Sequence, residues 1–173
     1  MKKFFLTVLF AVIACVTCGC SDAPAQSRFT EGYAEKWFDY YHEVPHDEVQ
    51  TLELEEFPNT VFYYDGLNAT TDKEGENILI GGWPVRNVYL SDLTGDGLPE
   101  FCATVSIGFG FIDDRIIVCD YASKTEYELS DRFNYDYFLT MEDDSLIVNQ
   151  VPYGGGETVS GKLAIFNGEI AVE

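Results

Sequence analysis

The sequence predicts an all-β protein, an antiparallel β-sandwich or barrel-like meander of about ten strands. From residue 49 onward, short apolar or alternating segments rich in β-branched and aromatic residues are separated by Gly, Asn and Asp. Helical crossovers, which parallel strands require, have no room between these segments. Of the 173 residues, 46% are apolar and 15% aromatic, enough for a packed core. We therefore expect one all-β domain over residues 47–173, preceded by a signal peptide and one short helix.

The predicted strands share this composition and end at turn-forming residues. They cover residues 49–54, 60–64, 78–80, 85–90, 101–107, 112–120, 127–129, 135–141, 145–151, 159–166 and 170–172. Asn167-Gly168 suits a two-residue type I′ hairpin, and Glu142-Asp143-Asp144 suits a slightly longer one. No internal repeat is present, which argues against a propeller or a solenoid.

The first 19 residues have the features of a lipoprotein signal peptide. Lys2 and Lys3 precede an apolar segment over residues 4–16, which is too short to span a bilayer. Cysteines stand where a small-residue cleavage site would otherwise be, and this pattern resembles the signals of bacterial lipoproteins. The resemblance implies a lipid anchor and a location on the extracytoplasmic face of the cell membrane.

Two cysteines are candidates for acylation. Cys20 follows Gly19 and leaves the longer apolar core before the cleavage point, so it is preferred. Cys15 is the alternative, because residues 12–14 are closer to the usual consensus. A plain secretory signal is the third interpretation.

Residues 20–46 are predicted to form a tether followed by a short amphipathic helix. Residues 21–27 are small and polar and have little to bury. Aromatic side chains then recur at spacings of four, four, three and one residues, which favours a helical stripe. These aromatic residues are Phe29, Tyr33, Trp37, Tyr40 and Tyr41.

The charge excludes one class of partner. The chain has 30 Asp and Glu against 10 Lys and Arg, a formal net charge of −20. Phosphate binding needs a basic surface, so no nucleic-acid partner is expected. Asp113-Asp114, Asp136 and Asp143-Asp144 are interpreted as surface charges that keep an exported protein soluble.

Cys102 and Cys119 are the cysteines that follow the leader. They lie on the two arms of a predicted hairpin, and a turn centred on Gly110-Phe111 places them opposite each other. One interpretation is a disulfide, which an exported protein permits. The other is a pair of buried thiols that act as small hydrophobic side chains.

The segment from Asp92 to Glu100 has the pattern of a cation-binding loop. The loop suits Ca²⁺ because it has side-chain oxygens at positions 1, 3 and 5, a glycine at 6, a backbone carbonyl at 7 and a carboxylate at 9. The predicted ligands are Asp92, Thr94, Asp96, the Leu98 carbonyl and Glu100. An EF-hand would need Glu at position 12, where this chain has Ala103. A turn that needs no metal is the alternative interpretation.

Strand direction adds one residue to this prediction. If residues 112–120 return antiparallel to residues 101–107, Asp120 comes back to the end of the sheet that carries the loop. Asp120 is therefore a further candidate ligand or neighbouring carboxylate. Asp113 and Asp114 are carried to the opposite end.

The D-x-x-G-D-G-x-x-E pattern between strands resembles the calcium loops of FG-GAP and VCBS repeat proteins, although here it occurs once. More broadly, the chain from residue 52 to its C-terminus looks like an uncharacterised domain of Gram-positive gut bacteria. That domain occurs in lipoproteins and appended to membrane sensors of the β-lactam-responsive metallopeptidase type; the resemblance implies no activity. The segments concerned are Glu56-Phe57-Pro58, residues 82–89, the Asp92 loop, Asp120-Tyr121-Ala122 and Asn134-Tyr135-Asp136-Tyr137.

Common catalytic motifs are missing. The sequence has no G-x-S-x-G, no H-E-x-x-H and no C-x-x-C beyond the leader, and its histidines are His42 and His46. We therefore expect a binding or sensing module with a structural Ca²⁺, not an enzyme. Its ligand is expected to be a glycan, a peptide or a sensor protein. The competing hypothesis is a carboxylate-dependent glycan hydrolase. Two interpretations are open for the aromatic residues Trp83, Tyr135, Tyr137 and Tyr153: a binding platform for a sugar or peptide, and packing in the core.

Substitution of the preferred lipidation residue tests the anchor. Cys20→Ala is expected to release the protein from membranes, because an acylated cysteine holds it there. Cell fractionation of the wild type, Cys20→Ala and Cys15→Ala measures this. Release by Cys15→Ala alone would move the anchor to Cys15, and release by neither would contradict the lipoprotein hypothesis.

Overall fold

The computed structural model describes residues 28–30, 32–40, 49–108 and 112–173, which form thirteen β-strands and no helix. The signal peptide, Cys15, Cys20, Tyr41, both histidines and the Gly110-Phe111 turn lie outside the described residues. The strands are β1 (Ala34–Asp39), β2 (Gln50–Glu53), β3 (Val61–Tyr64), β4 (Ala69–Thr70), β5 (Ile78–Ile80), β6 (Val85–Ser91), β7 (Glu100–Ile107), β8 (Asp113–Asp120), β9 (Thr125–Leu129), β10 (Tyr135–Glu142), β11 (Ser145–Pro152), β12 (Val159–Phe166) and β13 (Glu169–Val172).

The strands form three antiparallel sheets, and none of them closes into a barrel. The central sheet has the order β1-β6-β7-β8-β9, and the other two have the orders β2-β3-β4-β5 and β10-β11-β12-β13. The all-β, antiparallel prediction is confirmed. The barrel-like alternative is wrong, and β1 and β4 are strands that the sequence did not predict.

The predicted helix is wrong where the structure describes it, because Ala34–Asp39 pairs with β6 as strand β1. Lys36 lies opposite Tyr89 and Phe38 lies opposite Val88, so Trp37 is the extra residue of a β-bulge. The bulge interrupts the two-residue period of the strand. Trp37, Phe38 and Tyr40 all pack against the same hydrophobic core, so the aromatic spacing does not show the alternation of a regular strand.

The central sheet is buried on both faces. Strand β7 sends Phe101, Ala103 and Val105 into one core, and Cys102 into the other. The first core lies against the sheet β2–β5, where the Phe62 and Phe101 ring centroids are 4.6 Å apart. Full burial of such a side chain contributes about 1.5–3 kcal/mol.

The second core lies between the central sheet and the sheet β10–β13, and a buried hydrogen-bond network crosses it. Asn87 Nδ2 donates to the Leu139 carbonyl at 3.0 Å, and the Leu139 N–H donates to Thr104 Oγ1 at 2.9 Å. The Thr104 N–H donates to Asn87 Oδ1 at 2.9 Å. Leu139 lies on β10, the outer strand of its sheet, so side chains of the central sheet satisfy its backbone.

Cys102 and Cys119 are both buried free thiols on opposite faces of the central sheet. Cys119 lies opposite Phe101, and Cys102 lies opposite Val118. The strand register therefore differs by one residue from the register that would place the cysteines opposite each other. Because successive side chains of a strand point to opposite faces of the sheet, this shift puts the two thiols on different faces. The structure has two buried thiols in place of the disulfide.

Both predicted hairpin turns contain two residues. Asn167 and Gly168 have φ values of 53° and 81°, as a type I′ turn requires, and this prediction is confirmed. Asp143 and Asp144 also have positive φ and connect the paired residues Glu142 and Ser145. That turn is shorter than predicted.

Replacement of a hydroxyl in the buried network tests its contribution. Thr104→Val keeps the side-chain shape and removes the acceptor of the Leu139 N–H, so the free energy of unfolding should fall by about 1–3 kcal/mol. Urea unfolding followed by fluorescence measures the change. Thr51→Val, at an exposed position of β2, is the control and should change stability by less than about 0.5 kcal/mol. Equal losses in both variants would contradict a special role for Thr104.

Candidate metal centre

The predicted cation loop joins β6 to β7 at one end of the central sheet. Ser91 pairs with Glu100 at the base of the hairpin, and residues 92–99 form the loop. The Ser91 hydroxyl donates to the Tyr33 carbonyl at 2.8 Å, which ties the base of the loop to the segment before β1. The loop is thus anchored on the central sheet and on the segment before β1.

Asp92 organises the loop by accepting hydrogen bonds from its backbone. The Gly95 N–H donates to Asp92 Oδ1 at 2.7 Å, and the Gly97 N–H donates to Asp92 Oδ2 at 2.9 Å. Both glycines have positive φ, 77° and 84°, a region that side chains rarely adopt. The glycines therefore let the chain wrap around a carboxylate that is 4% exposed.

Glu100 lies beneath the loop and is almost fully buried. The Leu93 N–H donates to Glu100 Oε2 at 2.6 Å, and the Thr94 hydroxyl donates to Oε1 at 2.8 Å. Burial raises the pKa of Glu100, and the nearby charges of Asp120 and Asp92 raise it further, against the lowering effect of these hydrogen bonds. The site therefore disfavours an uncompensated negative charge.

Asp92, Asp96 and Glu100 form a group of three carboxylates among the described residues. One oxygen from each lies within 4.8 Å of the other two. Calcium binds oxygens at about 2.3–2.6 Å, so two oxygens on opposite sides of the ion are about 4.6–5.2 Å apart. Three carboxylate oxygens this close to one another could hold a metal ion.

The other two predicted loop ligands make contacts of their own. Thr94 donates its hydroxyl to Glu100, as described above, and the Leu98 N–H donates to Asp96 Oδ1 at 2.8 Å. The roles of the Thr94 oxygen and the Leu98 carbonyl as ligands stay predictions.

Asp120 ends β8 beside Glu100, the end of the sheet at which the sequence placed it. Its carboxylate is outside the group of three and is oriented by Ser123, whose N–H donates to Oδ1 at 2.9 Å and whose hydroxyl donates to Oδ2 at 2.5 Å. Ser123 could not be predicted from the sequence, because no local pattern marks it as the partner of Asp120.

Asp113 and Asp114 lie at the opposite end of β8, as expected, but they are buried and not surface charges. Asp113 pairs with Arg115, which also binds Glu128 at 2.7 Å. Asp114 accepts a hydrogen bond from Ser106. Each of these buried carboxylates has a charged or polar partner, and Asp113 Oδ1 is a buried oxygen without a hydrogen bond.

The aromatic residues proposed as a platform do not form one surface. Trp83 is 61% exposed, whereas Tyr137 is buried in the second core and Tyr135 packs against it. The Tyr153 hydroxyl donates to Asp136 Oδ1 at 2.9 Å. Of these four residues only Trp83 is strongly exposed. Core packing accounts for Tyr135 and Tyr137, whereas Tyr153 is half-buried beside Asp136.

Two clefts could not be predicted from the sequence. A cleft of about 850 Å³ lies beside β1, β6 and β10, and its lining includes Asp39, Tyr89, Phe138 and Glu142. The Tyr89 hydroxyl donates to Asp39 Oδ2 at 2.8 Å. A second cleft of about 410 Å³ lies between β5 and the β8–β9 turn, and Asp120 is part of its lining.

Comparison with known proteins finds no family model, curated protein or solved structure that matches this chain. The resemblances described under Sequence analysis stay predictions. Within the described ranges, no helix is long and apolar enough to cross a membrane.

The raised pKa of Glu100 predicts a pH-dependent effect of its replacement. In calcium-free buffer, the Glu100 contribution to stability is fully present below the pKa of the unfolded chain and is lost as pH rises through the higher folded pKa. Glu100→Gln carries no charge and can still bond Leu93 and Thr94. Its melting temperature relative to wild type should therefore increase from pH 4 to pH 7, values that bracket the ordinary Glu pKa of about 4.3.

Thermal unfolding in the presence of EDTA measures this difference. Glu55→Gln, at an exposed position, is the control. A difference between Glu100→Gln and wild type that stays constant or shrinks as pH rises would contradict the electrostatic argument.

Proposed function

We propose that this chain is a membrane-anchored, extracytoplasmic binding or sensing module, and that its β6–β7 loop holds a structural calcium ion. The observation that supports the ion most directly is the approach of the Asp92, Asp96 and Glu100 oxygens to within 4.8 Å of one another. The anchor rests on the sequence of the leader alone.

The chemistry of the donors favours a hard cation. The loop contains carboxylate, hydroxyl and backbone oxygens and has neither histidine nor cysteine. Zinc and copper prefer nitrogen and sulfur ligands, whereas calcium and magnesium prefer oxygen. Calcium is the better candidate of the two, because its coordination tolerates the irregular geometry of a protein loop while magnesium demands a near-ideal octahedron.

The local electrostatics give the ion a physical role. Asp92 and Glu100 are both buried, and Asp120 lies close enough to raise the pKa of Glu100. A divalent cation would offset the repulsion among these carboxylates. At the weak affinities of extracellular modules, about 10⁻⁴ to 10⁻³ M, millimolar calcium would add on the order of 0.4 to 1.4 kcal/mol of stability.

The rest of the domain supports binding or sensing over catalysis. The acidic residues at the far end of β8 are paired in buried contacts, as described for Asp113 and Asp114. Burial raises the pKa of Cys119 to about 12, so that thiol is poorly suited to nucleophilic attack. Rigid sheets that carry loops and clefts at their ends suit recognition.

A glycan hydrolase is the second candidate, and the larger cleft is the observation that favours it. Asp39 and Glu142 both line this cleft, together with the aromatic residues Tyr89 and Phe138. Glycoside hydrolysis needs two carboxylates about 5–9.5 Å apart, and sugar rings pack against aromatic side chains. Release of reducing sugar from an oligosaccharide by wild type but not by Glu142→Gln would favour the hydrolase over the binding module.

Calcium addition tests the proposed ion site. Calcium should raise the melting temperature of the mature, leader-free chain by a few degrees. Asp92→Ala or Asp96→Ala should abolish the rise because each removes a ligand. Asp120→Asn should weaken it by removing a neighbouring negative charge. Calorimetric titration of metal-stripped protein, with magnesium as a control, measures the affinity.

Asp113→Asn is the matched control, because this buried aspartate lies at the opposite end of β8. It should keep the calcium-dependent rise whatever its effect on stability without calcium. Absence of calcium binding below about 10 mM, beyond the weak end of the extracellular range, would leave the loop as an ordinary turn.

A further inference from the structure

The smaller cleft is a groove between two sheet edges, and we name it the β5–β9 groove. β5 is the outer strand of the sheet β2–β5, and β9 is the outer strand of the central sheet. The groove has a volume of about 410 Å³, within the range of about 300–1,000 Å³ that small-molecule sites occupy. Its lining includes Thr71, Asn77, Ile78, Asp120, Tyr121 and Thr125.

One wall of the groove is held in place by Asp72. The Glu76 and Asn77 N–H groups donate to the Asp72 carboxylate at 3.0 Å and 2.5 Å, and these bonds lower its pKa. The Thr71 N–H donates to the Asn77 carbonyl at 2.9 Å. The loop that presents Asn77 to the groove is therefore closed by its own hydrogen bonds.

The opposite wall is held in place by Ser123. As described above, Ser123 donates its N–H and its hydroxyl to Asp120, and its Oγ also lies 2.8 Å from Thr125 Oγ1. The Tyr121 ring packs edge-on against Phe57 and Phe62. Both walls are therefore organised without a ligand, which lowers the entropic cost of binding one.

The chemistry of the lining selects a class of ligand. Thr71 and Thr125 offer hydroxyls and Asn77 offers an amide, groups that donate and accept hydrogen bonds. The Asn77 side chain also bonds Asp72, and Thr125 Oγ1 also contacts Ser123 Oγ, so each of these two groups has part of its hydrogen-bonding capacity left for a ligand. Ile78, 59% exposed, and Tyr121 add apolar surface. Lys124 and Glu126 at the same groove carry opposite charges, and Asp120 disfavours anions.

We infer that the β5–β9 groove binds a neutral saccharide. A sugar ring presents hydroxyls that both donate and accept, and its C–H faces pack against apolar and aromatic side chains. This inference names the ligand class of the proposed binding module and so rests on that function. Because Asp120 borders both the groove and the ion loop, the test uses Asn77 and Thr125, which lie outside the loop.

Amide chemical shifts test the inference directly. Glucose, galactose, mannose and N-acetylglucosamine are each titrated to tens of millimolar into the ¹⁵N-labelled, leader-free chain with calcium present. At least one of them should shift the amide resonances of Asn77, Tyr121 and Thr125. Asn77→Ala and Thr125→Val should each weaken binding about threefold to tenfold, because each removes a hydrogen-bonding group. Thr51→Val, exposed on β2, is the control and should bind normally.

Three outcomes would overturn the inference: no response to any of the four sugars, a response confined to residues outside the groove, or unchanged affinity in both groove variants. A trilysine peptide that shifts the groove resonances where the sugars do not would also overturn it. The calcium-dependent rise in melting temperature is measured on the same samples. If calcium raises the melting temperature but no sugar binds, only the saccharide inference is contradicted. If a sugar binds but calcium does not raise the melting temperature, only the ion site is contradicted.

Discussion

The hydrogen bonds from Asn87 and Thr104 to the backbone of Leu139 connect the central sheet to the edge of β10. Both side chains are fully buried, so each would cost stability if it lost its partner. These hydrogen bonds fix how β10 is aligned relative to the central strands. Apolar contacts alone would tolerate several alignments. The second core is built on that alignment, with Leu139 and Val148 on one side and Cys102 and Ile116 on the other.

Burial on both faces also explains the composition of the central strands. β6, β7 and β8 are almost continuously buried, and their neighbouring side chains enter different cores. Such strands read as apolar runs, whereas the outer strand β9 alternates between exposed and partly buried positions. Several polar residues of the central strands are bonded in pairs or networks, as Ser106 and Asp114 illustrate. The high acidic content of the chain is thus compatible with two hydrophobic cores.

The proposed ion site and the β5–β9 groove lie at the same end of the central sheet, with Asp120 between them. Glu100 begins β7 and Asp120 ends β8, so antiparallel pairing places the two carboxylates side by side. Their mutual repulsion contributes to the raised pKa of Glu100. An ion bound by the loop and a ligand bound in the groove would each act on Asp120, and thermodynamic linkage makes any such coupling reciprocal.

The sequence by itself determined most strands, the Asn167-Gly168 turn and the cluster of loop carboxylates, because these depend on local periodicity and on residues within one short segment. The sequence even placed Asp120 near the loop, since antiparallel direction alone brings the end of β8 back. Only the tertiary structure decided the rest. Residues Ala34–Asp39 form strand β1 with a bulge at Trp37 despite the helical spacing of the aromatic side chains, because pairing with β6 outweighed the local pattern. A single step of register between β7 and β8 put Cys102 and Cys119 on opposite faces, and register depends on distant packing. Contacts between segments far apart in the chain likewise determine the packing of three sheets, the burial of Asp113 and both clefts.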